Sequence, residues 1–274
     1  MTYDDNMIQV LVAASVAAGR EIMAVYADPA HACAVKADSS PVTEADTRAE
    51  AVILRALREA FPTIPVVAEE EASEGRLPPT LDRFFLVDPL DGTREFINRN
   101  GEFTVNIALI ENGVPVLGVV YAPAIGDIFT GSRSGARRGR VTGGVVGPLS
   151  PISTRPAPRH LVAVGSRSHG SDETARWLER FDVDRFVSSG SSLKFCLVAA
   201  GEADIYPRFG RTMEWDTAAG DAVLRAAGGI VTDPEGRPLR YNKRNQDADV
   251  DFANGHFIAY GDPALLARQK ASMA

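Results

Sequence analysis

Residues 103–110 and 114–121 are β-rich runs joined through Glu111-Asn112-Gly113, and no other feature restricts the fold as tightly. Asn-Gly supplies the positive φ angles of a tight turn whose twist matches its flanking strands, so the spacing predicts a hairpin within an antiparallel sheet. Just upstream, Phe84-Phe85-Leu86-Val87 is continuously apolar, as a buried strand is. It runs into Asp88-Pro89-Leu90-Asp91-Gly92-Thr93, where Pro89 fixes φ and removes a donor. The expectation is a strand that ends at Pro89 and a turn that swings Asp91 back toward the space Asp88 faces.

Helices flank this sheet. Ile8, Leu11, Val12, Ser15, Gly19, Ile22, Met23 and Tyr26 recur at helical spacing across 5–26. A second helix starts at Thr43, turns Ala49, Val52, Ile53, Ala56, Leu57 and Ala60 inward, and ends before Pro62. A short strand follows over 66–68. The glycine- and arginine-rich stretch from Gly131 to Gly147, then Pro148, Pro151, Pro156 and Pro158, reads as an exposed irregular region and a domain boundary. It divides an α+β domain, 1–152, from an α/β domain, 153–274. In the second, strands over 161–165, 204–206, 230–232 and 257–260 alternate with helices over 172–181, 193–200 and 216–227.

The bulk composition narrows the function classes. A chain of 274 residues with 45% apolar content can bury a sizeable core, and a formal charge of −7 argues against a nucleic-acid or membrane-surface footprint. Cys33 and Cys196 have no ligand-type spacing, and His31, His160, His169 and His256 fall in separate segments, so neither a disulfide framework nor a histidine metal site is expected. The amino terminus is acidic where a secretory signal would be basic. With no apolar run near the ~18 residues of a span, the expectation is a soluble cytoplasmic protein without membrane insertion.

The chemistry concentrates on carboxylates. If Asp88 and Asp91 converge to ~4 Å they repel by about 4 kcal/mol at an effective dielectric near 20, which requires a shared proton or a cation. The Leu90 carbonyl is a further oxygen donor for a hard divalent ion, and Gly92 and Thr93 offer backbone N–H groups and a hydroxyl to a phosphate. Glu69-Glu70-Glu71 ends its own short strand, where Glu69 can reach the same cleft. Asp216, in Glu214-Trp215-Asp216-Thr217-Ala218-Ala219-Gly220, sits at a helix start as ligand or cap. Asp46, three residues after Thr43, is a capping-box acid that can also orient the Thr93 hydroxyl toward a water.

Glu69-Glu70, Asp88 to Thr93 and Trp215 to Gly220, in this order, resemble the lithium-sensitive, magnesium-dependent phosphatase superfamily of inositol monophosphatases and fructose-1,6-bisphosphatases. The resemblance implies an α/β fold, α+β in its first half, built as a layered α-β-α-β-α sandwich. It implies two to three magnesium ions held by Glu69, Asp88, the Leu90 carbonyl, Asp91 and Asp216, with Glu70 behind them and Asp46 and Thr93 activating water. A one-residue shift in the three-acid run would make Glu70 the ligand instead of Glu69. KADSSPVTEAD from Lys36, REFINRNGEFTVNIALI from Arg94, SRSH from Ser166, GSSLKFCLV from Gly190 and YPRFG from Tyr206 are similar to the bacterial CysQ group of 3′(2′),5′-bisphosphate nucleotidases. That likeness implies hydrolysis of adenosine 3′,5′-bisphosphate to AMP and phosphate, in sulfur assimilation or nucleotide recycling. Its substrate contacts would be Gly92, Thr93, His169, Ser191, Lys194 and Arg208, with Lys194 and Arg208 facing a second phosphate. The alternative is an inositol-monophosphate or sugar-bisphosphate phosphatase using the same site. The partner implied is a small phosphorylated nucleotide, and a homodimer is open. Asp221 adds an acid near the substrate side, and Arg137, Arg138 and Arg140 belong to an exposed turn.

Overall fold

The Asn-Gly turn forms as expected, with Asn112 and Gly113 at φ values of 52° and 72°. The strands on either side, Thr104–Glu111 and Val114–Ala122, pair antiparallel. The computed structural model describes residues 3–27, 34–35, 41–42, 44–166 and 172–271. In chain order the elements are α1 (Tyr3–Ala27), β1 (Ala34–Val35), β2 (Pro41–Val42), α2 (Glu44–Ala60), β3 (Val66–Ala68), α3 (Glu69–Ser73), β4 (Arg83–Asp91), α4 (Thr93–Ile97), β5 (Thr104–Glu111), β6 (Val114–Ala122), β7 (Asp127–Ser132), β8 (Gly135–Thr142), β9 (Val145–Val146), β10 (Ser150–Ile152), β11 (Leu161–Ser166), α5 (Asp172–Leu178), β12 (Val183–Ser189), α6 (Leu193–Ala199), β13 (Ile205–Arg208), β14 (Thr212–Met213), α7 (Glu214–Ala226), β15 (Ile230–Thr232), β16 (Ala253–Asn254), β17 (Phe257–Tyr260) and α8 (Ala264–Ala271).

An eight-stranded sheet runs in the order β10-β8-β7-β6-β5-β4-β3, with β9 on β8, and is antiparallel except where β3 meets β4. A five-stranded sheet, β12-β11-β13-β17-β15, is parallel from β12 to β13 and antiparallel beyond. Side chains alternate across each sheet, so β5 separates two cores. Val105, Ile107 and Leu109 pack with Met7, Leu11, Ile53 and Leu57 of α1 and α2. Ala108 and Ile110 join Phe195, Val198, Val223 and Leu224 of α6 and α7, a core that the inner face of the second sheet closes with Val164, Tyr206 and Phe257. On that sheet's outer face lie Trp177 and Leu178 of α5 and Leu265 of α8. The result is the five-layer α-β-α-β-α arrangement.

Four departures from the sequence reading have physical causes. Strand β4 does not end at Pro89: Asp88 pairs with Asn106 and Asp91 with Thr104, so Pro89 and Leu90 together oppose Val105 as a bulge. A bulge leaves a ladder position unpaired, which is where proline's missing N–H costs nothing. The stretch from Gly131 to Gly147 is not an exposed turn but largely β8 and its neighbours. A Cβ at Gly131 would lie 2.6 Å from the Ala222 carbonyl oxygen, so this glycine marks the close approach of α7 and not a break in the sheet. Strand β12 was not anticipated because it is a largely exposed edge strand with no apolar alternation. Finally, α1 is long and apolar enough to cross a membrane by length and composition. Its buried Met7, Leu11, Ala14, Ala18 and Ile22 instead pack in the core shared with α2 and the sheet.

Candidate active site

In a regular strand, residues three apart point to opposite faces. The β4 bulge removes one step of that alternation, so Asp88 and Asp91 sit opposite Asn106 and Thr104, which share a face of β5. The Leu90 N–H, released from the ladder, donates to Asp88 Oδ1 at 3.1 Å. Gly92 then turns with φ 92°, where a Cβ would sit 3.4 Å from both Phe103 Cα and Ser191 Cβ, and α4 starts at Thr93. Glycine is needed for this left-handed turn.

Asp91, Gly92 and Thr93 edge a cleft of about 870 Å³ whose lining also includes Glu69, Lys194, Arg208 and Asp216. Asp88 is buried, and burial first, then the charges of Glu69, Asp91, Asp216 and Asp46, push its carboxyl well above the usual range. Asp216 is raised well above that range by burial and by Asp91 and Glu69. Burial also raises Asp91, against the opposing pull of Lys194 and the Ser191 hydroxyl. Five acids from α2, α3, β4 and α7 thus share one field. Among the described residues no three of them close into a ready-made ligand group, which mutual repulsion alone would disfavour. The donor set, carboxylate oxygens in excess of the local N–H donors, nevertheless fits a hard divalent cation.

The neighbouring acids separate by their partners. Glu69 reaches the cleft, whereas Glu71 binds Arg58 at 2.6 Å, and the Glu70 and Glu71 N–H groups donate to Glu50 at 2.8 and 3.1 Å. The three-acid run therefore divides between cleft and surface, with Glu69 on the cleft side. Helix α7 begins two residues earlier than expected, so Asp216 lies at its third position and accepts the Met213 N–H at 2.8 Å. Cap and cleft roles coexist in that side chain. Thr93 lines the cleft, and Asp46, on α2, is buried.

On the substrate side, Ser191 donates to Asp91 Oδ2 at 2.5 Å from a backbone at φ 51°. Lys194 is buried, with Nζ 2.5 Å from the Ser191 carbonyl oxygen, and burial lowers its pKa to about 8 while Asp91 opposes the shift. Arg208 lines the cleft with no hydrogen bond or ion pair to a described residue, and its Nε is buried without a partner. His169 lies outside the described residues. Asp221 does not face the substrate: it is fully buried, paired with Arg225 at 2.6 Å and bonded by the Tyr241 hydroxyl. Arg138 and Arg140 are strand residues committed to Asp127, and Arg137 to the Leu149 carbonyl, because β8 places them beside β7 and β10. Sequence reasoning passed over Glu50, Thr104, Asn106 and Ser192. Thr104 and Asn106, polar and two apart in an apolar strand, were the available signal.

A model of the inositol monophosphatase family matches residues 4–260. The chain belongs to that family. Its members are metal-dependent phosphatases. An Escherichia coli 3′(2′),5′-bisphosphate nucleotidase CysQ is 48% identical over 236 residues, 86% of this chain and 94% of that protein. A Haemophilus influenzae protein of the same name is 31% identical over 271 residues, 97% of this chain and 96% of its own length. The crystal structure of CysQ from Bacteroides thetaiotaomicron matches with a TM-score of 0.77 and 39% identity, covering 94% of this chain and 98% of the other. An Anabaena inositol monophosphatase matches with a TM-score of 0.75 and 27% identity, covering 99% and 97%.

Proposed function

We propose that this family member is a magnesium-dependent 3′(2′),5′-bisphosphate nucleotidase that hydrolyses the 3′-phosphate of adenosine 3′,5′-bisphosphate to AMP and phosphate. The observation that carries the reading is Arg208, a guanidinium in the same cleft as the acid cluster with no hydrogen-bond or ion-pair partner among the described residues. Its charge is felt at both Asp216 and Lys194, so a substrate bound at the acids would bring a second phosphate within its reach. A monophosphate has no use for that cation. The names and extensive coverage of the bisphosphate-nucleotidase relatives support the same substrate class.

In this reading Glu69, Asp88, the Leu90 carbonyl, Asp91 and Asp216 would hold two to three ions, with Glu70 behind them. Bound magnesium supplies Lewis-acid stabilisation of phosphoryl charge and a more acidic water. Asp46 and Thr93 would orient a water for in-line attack, the Asp46 carboxylate accepting a hydrogen bond from the Thr93 hydroxyl so that the Thr93 oxygen accepts one from the water. Gly92 and Thr93 N–H groups face the reacting phosphate, while Arg208, Lys194, Ser191 and His169 hold the nucleotide. We place both site halves, 1–152 and 153–274, in one soluble cytoplasmic enzyme. Phosphate release from adenosine 3′,5′-bisphosphate and from inositol 1-phosphate, each with magnesium or with chelator, tests the reading. Faster turnover of the inositol substrate would assign the cleft to the other branch of the family.

A further inference from the structure

We propose that Asn106 is a positioning residue that sets the separation of Asp91 and Asp216, the acids contributed by the first sheet and by α7. Asn106 is fully buried on β5. Its Nδ2 lies 3.1 Å from Ser192 Oγ and 3.5 Å from Asp91 Oδ2. Ser192 Oγ in turn donates to the Asp216 carbonyl oxygen at 2.7 Å, in the first turn of α7. One amide therefore ties a β4 carboxylate to the start of a helix over a hundred residues away in sequence.

The direction of the bonds follows from counting hydrogens. Asp91 as a carboxylate only accepts, so Ser191 gives it its single hydroxyl hydrogen. Thr104 Oγ1, which touches both Ser191 Oγ and Asn106 Oδ1, has one hydrogen to share between them. In either case Asn106 keeps two amide hydrogens, one for Asp91 and one for Ser192. The reversed amide would set Oδ1 against the Asp91 carboxylate, and the network excludes it. Leucine shares the branched shape of asparagine and has no donor. Such supporting groups orient cation ligands, and their loss typically weakens metal binding 10- to 100-fold.

The inference rests on the proposal that these acids hold divalent cations, and Mg²⁺ titration calorimetry separates the two. Asn106→Leu should weaken Mg²⁺ binding by about 10- to 100-fold, with KM for substrate at saturating Mg²⁺ little changed. Ser192→Ala breaks only the Asp216 arm, and the double variant should lose no more than the product of a shared chain permits, that is, less than the two single losses multiplied. Thermal denaturation in chelator verifies that each variant is folded, and Ser192→Ala carries the test should Asn106→Leu not fold. Wild-type protein that binds no Mg²⁺ overturns the cation reading itself. Wild-type binding with both single variants within twofold of it, or fully independent losses in the double variant, overturns the role of Asn106.

Discussion

Asp91 is where most of the site's demands meet, because it shares a field with Asp88 and Asp216 and accepts from Ser191. Asp91→Asn keeps its shape and removes its charge, so turnover should fall by at least about 100-fold with the thermal transition retained, as phosphate release and calorimetry would measure. Arg208 acts at the other end of the cleft. Losing a hydrogen bond to a charged group costs about 1.5–3 kcal/mol, so Arg208→Ala should raise KM for adenosine 3′,5′-bisphosphate about 10- to 100-fold and change that for a monophosphate little. Equal effects on both substrates would remove Arg208 from second-phosphate recognition. Glu50 carries a different prediction: burial first, opposed by the Glu70 and Glu71 N–H groups and aided by their charges, raises its pKa from 4.5 to about 7. The folded state then binds the proton more tightly than the unfolded chain, so this group's contribution is full below about pH 4.5 and is lost as pH rises through 7. Glu50→Gln should flatten that loss, leaving the variant more stable than wild type at pH 8 relative to pH 5. Urea midpoints in chelator would measure the difference.

At the scale of elements, α7 matters most because it carries Asp216 and packs between the sheets. The small residues around it explain its motif: a Cβ at Gly118 would lie 2.5 Å from the Ala219 carbonyl oxygen, and one at Gly220 would lie 2.5 Å from Phe195 Cδ2. The Ala218-Ala219-Gly220 run lets helix, sheet and α6 approach this closely, which is a packing reason for residues that read as a functional signature. Gly118→Ala should therefore cost about 1–3 kcal/mol of stability by overpacking. Because the displaced helix bears Asp216, the same variant should also bind Mg²⁺ more weakly, and calorimetry on the folded protein would separate the two effects. The β4 bulge is the matching device on the other side of the cleft. It converts an odd sequence spacing between two acids into a shared face.

For the whole molecule, the acids of the cleft set stability against function. Asp88 is buried and Asp216 half-buried among like charges, so a cation that binds only the folded chain should stabilise it. Mg²⁺ at 100 times its dissociation constant should add about 2.7 kcal/mol, visible as a rise of several degrees in Tm that chelator reverses. No cation-dependent rise would contradict a folded-state site. Much of this design was legible in the sequence wherever one stretch of chain decides it. The Asn112-Gly113 turn, the helical spacing in α1 and the strand run before Asp88 are local, because turn angles and side-chain periodicity depend on near neighbours. The relation of Asp88 to Asp91 was not, since a bulge depends on which residues of β5 stand opposite. Neither was the split of Glu69 from Glu71, which depends on Glu50 and Arg58 arriving from α2. By itself the sequence determined which side chains were available for cation and phosphate chemistry and which of the strongly periodic segments would be helix or strand. Only the tertiary structure decided which of those acids share one field, because Coulomb energy depends on distance in space and the packing of α7 between two sheets sets that distance.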